Sequence, residues 1–184
     1  MTALFILALA LAMDAFAASL CQGAVARPGA NGAIRIGAAF GTAQAVMPLL
    51  GWGLGIAFAS LIQAVDHWVA LALLGFLGVR MLKAGLEGET DDCVPALAGW
   101  ALLSAAIATS IDAAAAGVTL PLLQQPIGTS IAVIGATTAL LCFGGVFAGE
   151  IMGTKLGKKA EVAGGAMLIL LGLKIFVEHQ FLGA

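Results

Sequence analysis

Residues 2–22, TALFILALALAMDAFAASLCQ, form a long apolar run that contains one charged residue, Asp14. A helix of about 20 apolar residues crosses the hydrocarbon core of a bilayer. A secretory signal would carry a basic segment ahead of its apolar core, and no basic residue precedes this run. The stretch therefore predicts a first membrane span with an acidic residue near its middle.

The rest of the chain has the same apolar character. Of its 184 residues, 61% are hydrophobic and 10% are charged, the net charge is −2, and the mean hydropathy is +1.08. Soluble domains carry about 25% charged residues and about 45–50% apolar residues. The composition excludes an ordinary soluble domain, a disordered chain and a nucleic-acid binder, and it predicts a protein that crosses the bilayer several times.

Six apolar segments can be drawn along the chain, and four of the five connections between them contain a clear break in the apolar pattern. Turn-forming or charged clusters lie at residues 27–32, 87–92, 121–126 and 155–159. The predicted fold class is an all-α polytopic membrane protein with six transmembrane helices, at about residues 3–24, 34–58, 67–86, 96–119, 127–149 and 161–182. The three cysteines include no C-x-x-C pair, so neither a disulfide framework nor a zinc site is predicted.

The basic residues predict how the chain is oriented in the membrane. Connections one, three and five of a six-span chain lie on the same side. Seven of the eight Lys and Arg residues lie in or next to these connections, and Lys174 is the exception. Cytoplasmic loops carry the excess of Lys and Arg, so both termini are predicted to lie outside the cytoplasm.

The two halves of the chain resemble each other. A shift of 98 residues places Asp14 on Asp112, and a shift of 94 residues aligns the third and sixth spans. Each half holds three spans, an odd number, so the two copies must cross the membrane in opposite directions. We expect a first three-helix repeat at 1–86, a cytoplasmic linker at 87–95 and a second, inverted three-helix repeat at 96–184. Inverted repeats with a binding site at the bilayer midplane are a transporter architecture.

The paired aspartates carry the functional prediction. Asp14 and Asp112 lie within spans one and four, where an acidic side chain costs roughly 2.5–3.5 kcal/mol on insertion scales. Intramembrane acids usually face the interior of the helix bundle and mark ion or proton paths. The alternative interpretation is a pair of protonated aspartates that only holds neighbouring helices together.

Other side chains could add oxygen ligands to the two carboxylates. Gln44 is a midspan amide that needs partners, and Thr109 and Ser110 precede Asp112 on its helix. The candidate metal ligands are Asp14, Gln44, Thr109, Ser110 and Asp112. Such an oxygen set suits Mg²⁺, Ca²⁺ or Mn²⁺, and the absence of a midspan histidine argues against a Zn²⁺ transporter.

The hydroxyl groups admit a second interpretation. Serine and threonine side chains in a helix often bond back to a carbonyl of the same helix. For Thr109 and Ser110, and for Thr137 and Thr138 in span five, the sequence leaves open whether the hydroxyl serves a site or its own helix.

The motifs around both aspartates are similar to those of a known family. Residues 9–19, LALAMDAFAAS, and residues 106–113, AIATSIDA, resemble the first-helix and fourth-helix motifs of the bacterial MntP manganese-efflux pumps. The resemblance extends over nearly the whole chain. The further motifs that fit are Phe40-Gly41, Met47-Pro48-Leu49, Gly51-Trp52-Gly53, His67-Trp68, Phe76-Leu77-Gly78-Val79-Arg80-Met81 and Gly157-Lys158-Lys159-Ala160-Glu161.

This resemblance implies an exporter of Mn²⁺ in the bacterial inner membrane, related to the lysine-exporter superfamily. It also implies that Asp14 and Asp112 are essential to export, and it places Gln44 where some relatives carry Glu. The chain has no Gly-x-x-x-x-Gly-Lys loop for a nucleotide, so an ion gradient or a partner ATPase must drive transport. Proton antiport is predicted because protons and metal compete for the same carboxylates.

Two other functions stay open at this point. One is export of a cationic organic solute such as an amino acid, which would need a larger polar cavity. The other is a non-transporting membrane scaffold, which would not need two buried acids. An enzyme is not expected, since no nucleophile–base set is present. The expected partners are Mn²⁺ as substrate, protons and the lipid bilayer; a homodimer is left open, and neither a cofactor nor nucleic acid is expected.

Overall fold

All regular elements in the described part of the chain are helices, which confirms the predicted all-α class. The computed structural model describes residues 1–57, 66–87, 98–120, 125–152 and 155–181. The helices are α1 (Thr2–Ala26), α2 (Gly29–Ala57), α3 (Asp66–Glu87), α4 (Trp100–Thr109), α5 (Ile111–Gly117), α6 (Ile127–Met152) and α7 (Lys155–Phe181).

Five helical stretches are long and apolar enough to cross a membrane. They coincide with five of the six predicted spans, and the chain is a multi-pass membrane protein. The third predicted span, 67–86, falls within α3, which is helical but is not among the five. The five stretches are Thr2–Ala26, Gly29–Ala57, Trp100–Gly117, Ile127–Met152 and Lys159–Glu178.

The fourth predicted span is a helix with a break in it. Ser110 separates α4 from α5 and has φ −100° and ψ 4°. Its amide donates to the carbonyl of Ile107 at 3.0 Å, three residues back, which tightens the turn. Its hydroxyl donates to the carbonyl of Ala106 at 2.7 Å, and such back-bonding bends helices. The break therefore lies two residues before Asp112.

Helix α1 is the central helix of the described bundle. In its most apolar window 67% of the residues are buried, against 33–44% in the other four spanning stretches. It packs mainly against α6 and α7, while α2 packs against α6 and α5, and α3 packs against α7. Leu4, Leu7 and Leu11 on α1 are almost completely buried. Asp14 belongs to this central helix and is itself half-buried.

Glycines set how closely these helices approach. A Cβ atom on Gly149 of α6 would clash with the carbonyl of Leu20 in α1, and one on Gly51 of α2 would clash with the carbonyl of Ala114 in α5. Small residues allow helix backbones in a membrane to touch in this way. The contacts fix the depth at which α1 and α5 lie against α6 and α2.

The cysteines differ from the prediction. Cys142 is a free thiol buried in α6, as expected for a small apolar residue. Cys21 is disulfide-bonded, so the expectation of no disulfide was wrong. An odd number of cysteines without a recognisable spacing gives no information about which sulfurs meet in space. The predicted linker at 87–95 lies, apart from Glu87, outside the described residues.

Candidate ion-binding site

The two predicted aspartates lie side by side in the structure. Asp14 is in the middle of α1, Asp112 is in the first turn of α5, and their side chains are hydrogen-bonded to each other. Asp14 is half-buried, and Asp112 is 5% exposed. Two ionised carboxylates in contact repel each other strongly. The pair must therefore share a proton or hold a cation between its oxygens.

The two carboxylate oxygens of Asp112 differ in their hydrogen bonding. Its Oδ1 accepts a hydrogen bond from the amide of Ala113 at 2.8 Å. Its Oδ2 is buried and has no hydrogen-bond partner in the described structure. A buried polar atom without a partner is costly, so this oxygen is a candidate ligand atom.

Gln44 joins the same region from a third helix. It is completely buried in α2, and its side-chain amide donates to the carbonyl of Leu11 in α1 at 2.7 Å. Leu11 lies three residues before Asp14, on the same face of α1. The Oε1 atom of Gln44 is buried and has no hydrogen-bond partner in the described structure. The structure thus brings Gln44 near the acid pair and leaves its carbonyl oxygen available.

Thr109 and Ser110 bond to their own helix. The Thr109 hydroxyl contacts the carbonyls of Ala105 and Ala106 at 3.1 and 3.2 Å. The Ser110 hydroxyl donates to the same Ala106 carbonyl at 2.7 Å. Their observed role is to shape the helix break before Asp112, and metal ligation by these two residues stays a prediction.

Helices α3 and α7 close the site from the opposite side. The side chains of Met13 on α1 and Met81 on α3 both come against Gly164 of α7. Arg80, next to Met81, is exposed, and its positive charge acts on Asp112. Arg80 was not among the predicted site residues, although it belongs to the motif at residues 76–81 that resembles the MntP family.

A metal ion bound by Asp14 and Asp112 would need further ligands that are not acids, cysteines or histidines. Within the described residues, no three His, Cys, Asp or Glu side chains come together. Amide, hydroxyl or backbone oxygens, or water, would have to complete the coordination shell. Such oxygens suit hard divalent cations.

Several helices that can cross a membrane surround a close pair of carboxylates, an arrangement typical of ion-transporting membrane proteins. Comparison with known proteins gives the family. The family model described as "Putative manganese efflux pump" matches residues 27–176. The chain belongs to this MntP family. No solved structure matches it.

Relatives of this chain match it over almost their full length. "Putative manganese efflux pump MntP" of Sorangium cellulosum (strain So ce56) is 45% identical over 190 residues, which cover 98% of either chain. "Putative manganese efflux pump MntP 2" of Wolinella succinogenes is 46% identical over 176 residues, 95% of this chain and 97% of its own. The protein of the same name from Clostridium botulinum (strain Langeland) is 42% identical over 186 residues, 95% of this chain and 92% of its own.

Proposed function

We propose that this protein exports Mn²⁺ from the cytoplasm in exchange for protons, through a site formed by Asp14 and Asp112 at the middle of the membrane. The observation that carries the proposal is the hydrogen bond between these two side chains, which come from different halves of the chain. The names of the family and of the relatives support Mn²⁺ as the substrate. The membrane is the bacterial inner membrane, and both termini lie outside the cytoplasm, in accordance with the distribution of Lys and Arg.

The charge and the ligand type of the site suit a divalent cation. Two ionised aspartates balance the two positive charges of Mn²⁺, and carboxylate and amide oxygens are ligands that Mn²⁺ accepts. Asp112 Oδ2 and Gln44 Oε1 are buried oxygens that have no hydrogen-bond partner among the described residues, so a bound cation would satisfy both. Thr109 and Ser110 are secondary candidates, because their hydroxyl oxygens keep a lone pair after bonding to the helix.

Competition between protons and Mn²⁺ supplies the coupling. Metal binding requires deprotonated carboxylates, so protons entering from outside displace the metal there. The protonated protein then returns, loses its protons to the cytoplasm and accepts metal again. Exchange is obligatory if only the metal-bound and the protonated forms change conformation. Two protons for one Mn²⁺ would move no net charge.

Two inverted three-helix repeats, at 1–86 and 96–184 with the linker 87–95 between them, supply the moving parts. The 98-residue shift makes Gly51 equivalent to Gly149. Gly149 lies against α1, which carries the first aspartate, and Gly51 lies against α5, which carries the second. Equivalent glycines therefore meet equivalent helices, which supports the repeat.

Everted inner-membrane vesicles test the transport proposal. Export from the cell becomes uptake into the vesicle, so Mn²⁺ should accumulate when the vesicle interior is acidic and should stop accumulating when nigericin collapses the pH gradient. Mn²⁺, Cd²⁺, Zn²⁺ and lysine are offered separately, and vesicles with Asp14→Asn are the control. Uptake of lysine in place of Mn²⁺ would establish the organic-solute alternative. If none of the four were taken up, the non-transporting scaffold would be the remaining alternative.

The pH dependence of metal binding tests the coupling ion. The affinity of the purified protein for Mn²⁺ should fall as the pH is lowered from about 8 to about 5, because protons then occupy the carboxylates. An affinity that stays constant over this range would refute proton competition and would leave Mn²⁺ export itself in place.

The groove between α2 and α6 is not built to bind an organic cation. A cavity of about 390 Å³ lies between α2 and α6, and its lining consists of alanine, glycine and isoleucine with Thr42 as the one polar side chain. It therefore has no charged group that could bind the carboxylate or the amine of an amino acid.

A further inference from the structure

Thr138 differs in its hydrogen bonding from several other buried serine and threonine residues. The hydroxyls of Ser19, Ser110 and Thr119 each donate to a carbonyl in the preceding turn at 2.7 Å. Any serine or threonine inside a helix can form such a bond. Thr138 is completely buried in α6, yet its Oγ1 has no hydrogen-bond partner in the described structure. An unsatisfied buried hydroxyl is costly, which indicates a partner other than the described residues.

Thr138 lies where α6 meets both α2 and α1. Three residues before it, Gly135 faces Gly41 of α2. Seven residues after it, Gly145 faces Ser19 of α1. Residues three, four and seven apart lie on the same face of a helix. Thr138 is therefore on the face of α6 that is directed at α2 and α1, between the two contacts.

Gln44 lies at the same junction of three helices. The residue that follows it, Ala45, faces Gly135. The Gln44 amide reaches across to the carbonyl of Leu11 in α1, one turn before Asp14. The junction of α1, α2 and α6 thus borders the acid pair, and it contains two buried oxygen atoms, on Gln44 and Thr138, that have no partner in the described structure.

We propose that the Thr138 hydroxyl is a ligand of the transported cation, together with Gln44 Oε1 and the carboxylates of Asp14 and Asp112. In the described part of the chain, three buried side-chain N or O atoms lack a hydrogen-bond partner, and all three are oxygens of these residues: Gln44 Oε1, Asp112 Oδ2 and Thr138 Oγ1. A hard cation bound among them would satisfy all three. The ligand set takes one side chain from each of α1, α2, α5 and α6. This inference rests on the proposed function.

Valine in place of Thr138 keeps the shape of the side chain and removes the oxygen. With Thr138→Val we expect the affinity of the purified protein for Mn²⁺, measured by calorimetry in lipid nanodiscs, to fall by about tenfold, or about 1.4 kcal/mol. Thr138→Ser restores the hydroxyl and should bind Mn²⁺ like the unmodified protein. Thr137→Val is the matched control, since it removes the neighbouring hydroxyl of the same helix, and it should leave the affinity unchanged.

A cysteine at this position distinguishes a ligand from a packing residue. Sulfur favours soft metals, so Thr138→Cys should raise the affinity for Cd²⁺ relative to Mn²⁺. Wild-type Mn²⁺ affinity in Thr138→Val, or an unchanged ratio of Cd²⁺ to Mn²⁺ affinity in Thr138→Cys, would overturn the inference. If Asp14→Asn also bound Mn²⁺ normally, the proposed metal site as a whole would be wrong. If only the Thr138 variants bound Mn²⁺ normally, Thr138 would be excluded as a ligand and the rest of the proposed metal site would stand.

Discussion

At the scale of single residues, we expect Mn²⁺ export to depend on the negative charges of Asp14 and Asp112. Asparagine has the same shape as aspartate but cannot balance a cation. We expect Asp14→Asn and Asp112→Asn each to abolish Mn²⁺ export, with as much protein inserted as before or slightly more, because a buried acid is removed. Survival of Mn²⁺-sensitive cells at equal expression measures this. Glu178→Gln removes a carboxylate from the exposed pair with Lys174, at 3.4 Å, and should export normally. Full protection by either asparagine variant would exclude that aspartate as a ligand.

At the scale of helices, the contact between α1 and α6 depends on the missing side chain of Gly149. A methyl group there would meet the carbonyl of Leu20, which cannot move independently of α1. Overpacking of this kind typically costs about 1–3 kcal/mol, so Gly149→Ala should lower the thermal unfolding midpoint in detergent and should impair transport. Gly144→Ala on the same helix is the control, since its new methyl group would have no neighbour within 4 Å. Equal midpoints for the two variants would contradict the observed depth of α6 against α1.

At the scale of the whole molecule, the two halves are packed unequally. Helices α1 and α7 share a broad interface, whereas α3 and α5, the equivalent pair in the proposed repeat, touch over a small one. Inverted repeats can exchange such interfaces during transport. The Cβ atom of Ala17 lies 3.4 Å from the Cβ position of Gly157, near the separation in a disulfide. With the native cysteines replaced, oxidation of Ala17→Cys/Gly157→Cys should join α1 to α7 and stop Mn²⁺ uptake, and reduction should restore it. Full transport by the cross-linked protein would show that this interface does not open.

The amino-acid sequence by itself determined the helices and the identity of the two acids. Hydropathy is a sum over neighbouring residues, so the predicted spans coincide with helices in the structure. An acidic residue in an apolar run is costly wherever the run folds, so Asp14 and Asp112 could be assigned to the site before any contact was known. The 98-residue shift between them added the expectation that they meet.

Only the tertiary structure decided which groups surround the acids. The Gln44 amide donates to the carbonyl of Leu11, and the Thr138 hydroxyl has no hydrogen-bond partner in the described part of the chain, because α1, α2 and α6 meet with particular faces and at a particular depth. The helix break at Ser110 has the same origin, since its hydroxyl can bond back in any helix, but the packing around it selects the bend. These features depend on side chains far apart in the chain, and a local pattern carries no information about which helix faces come into contact.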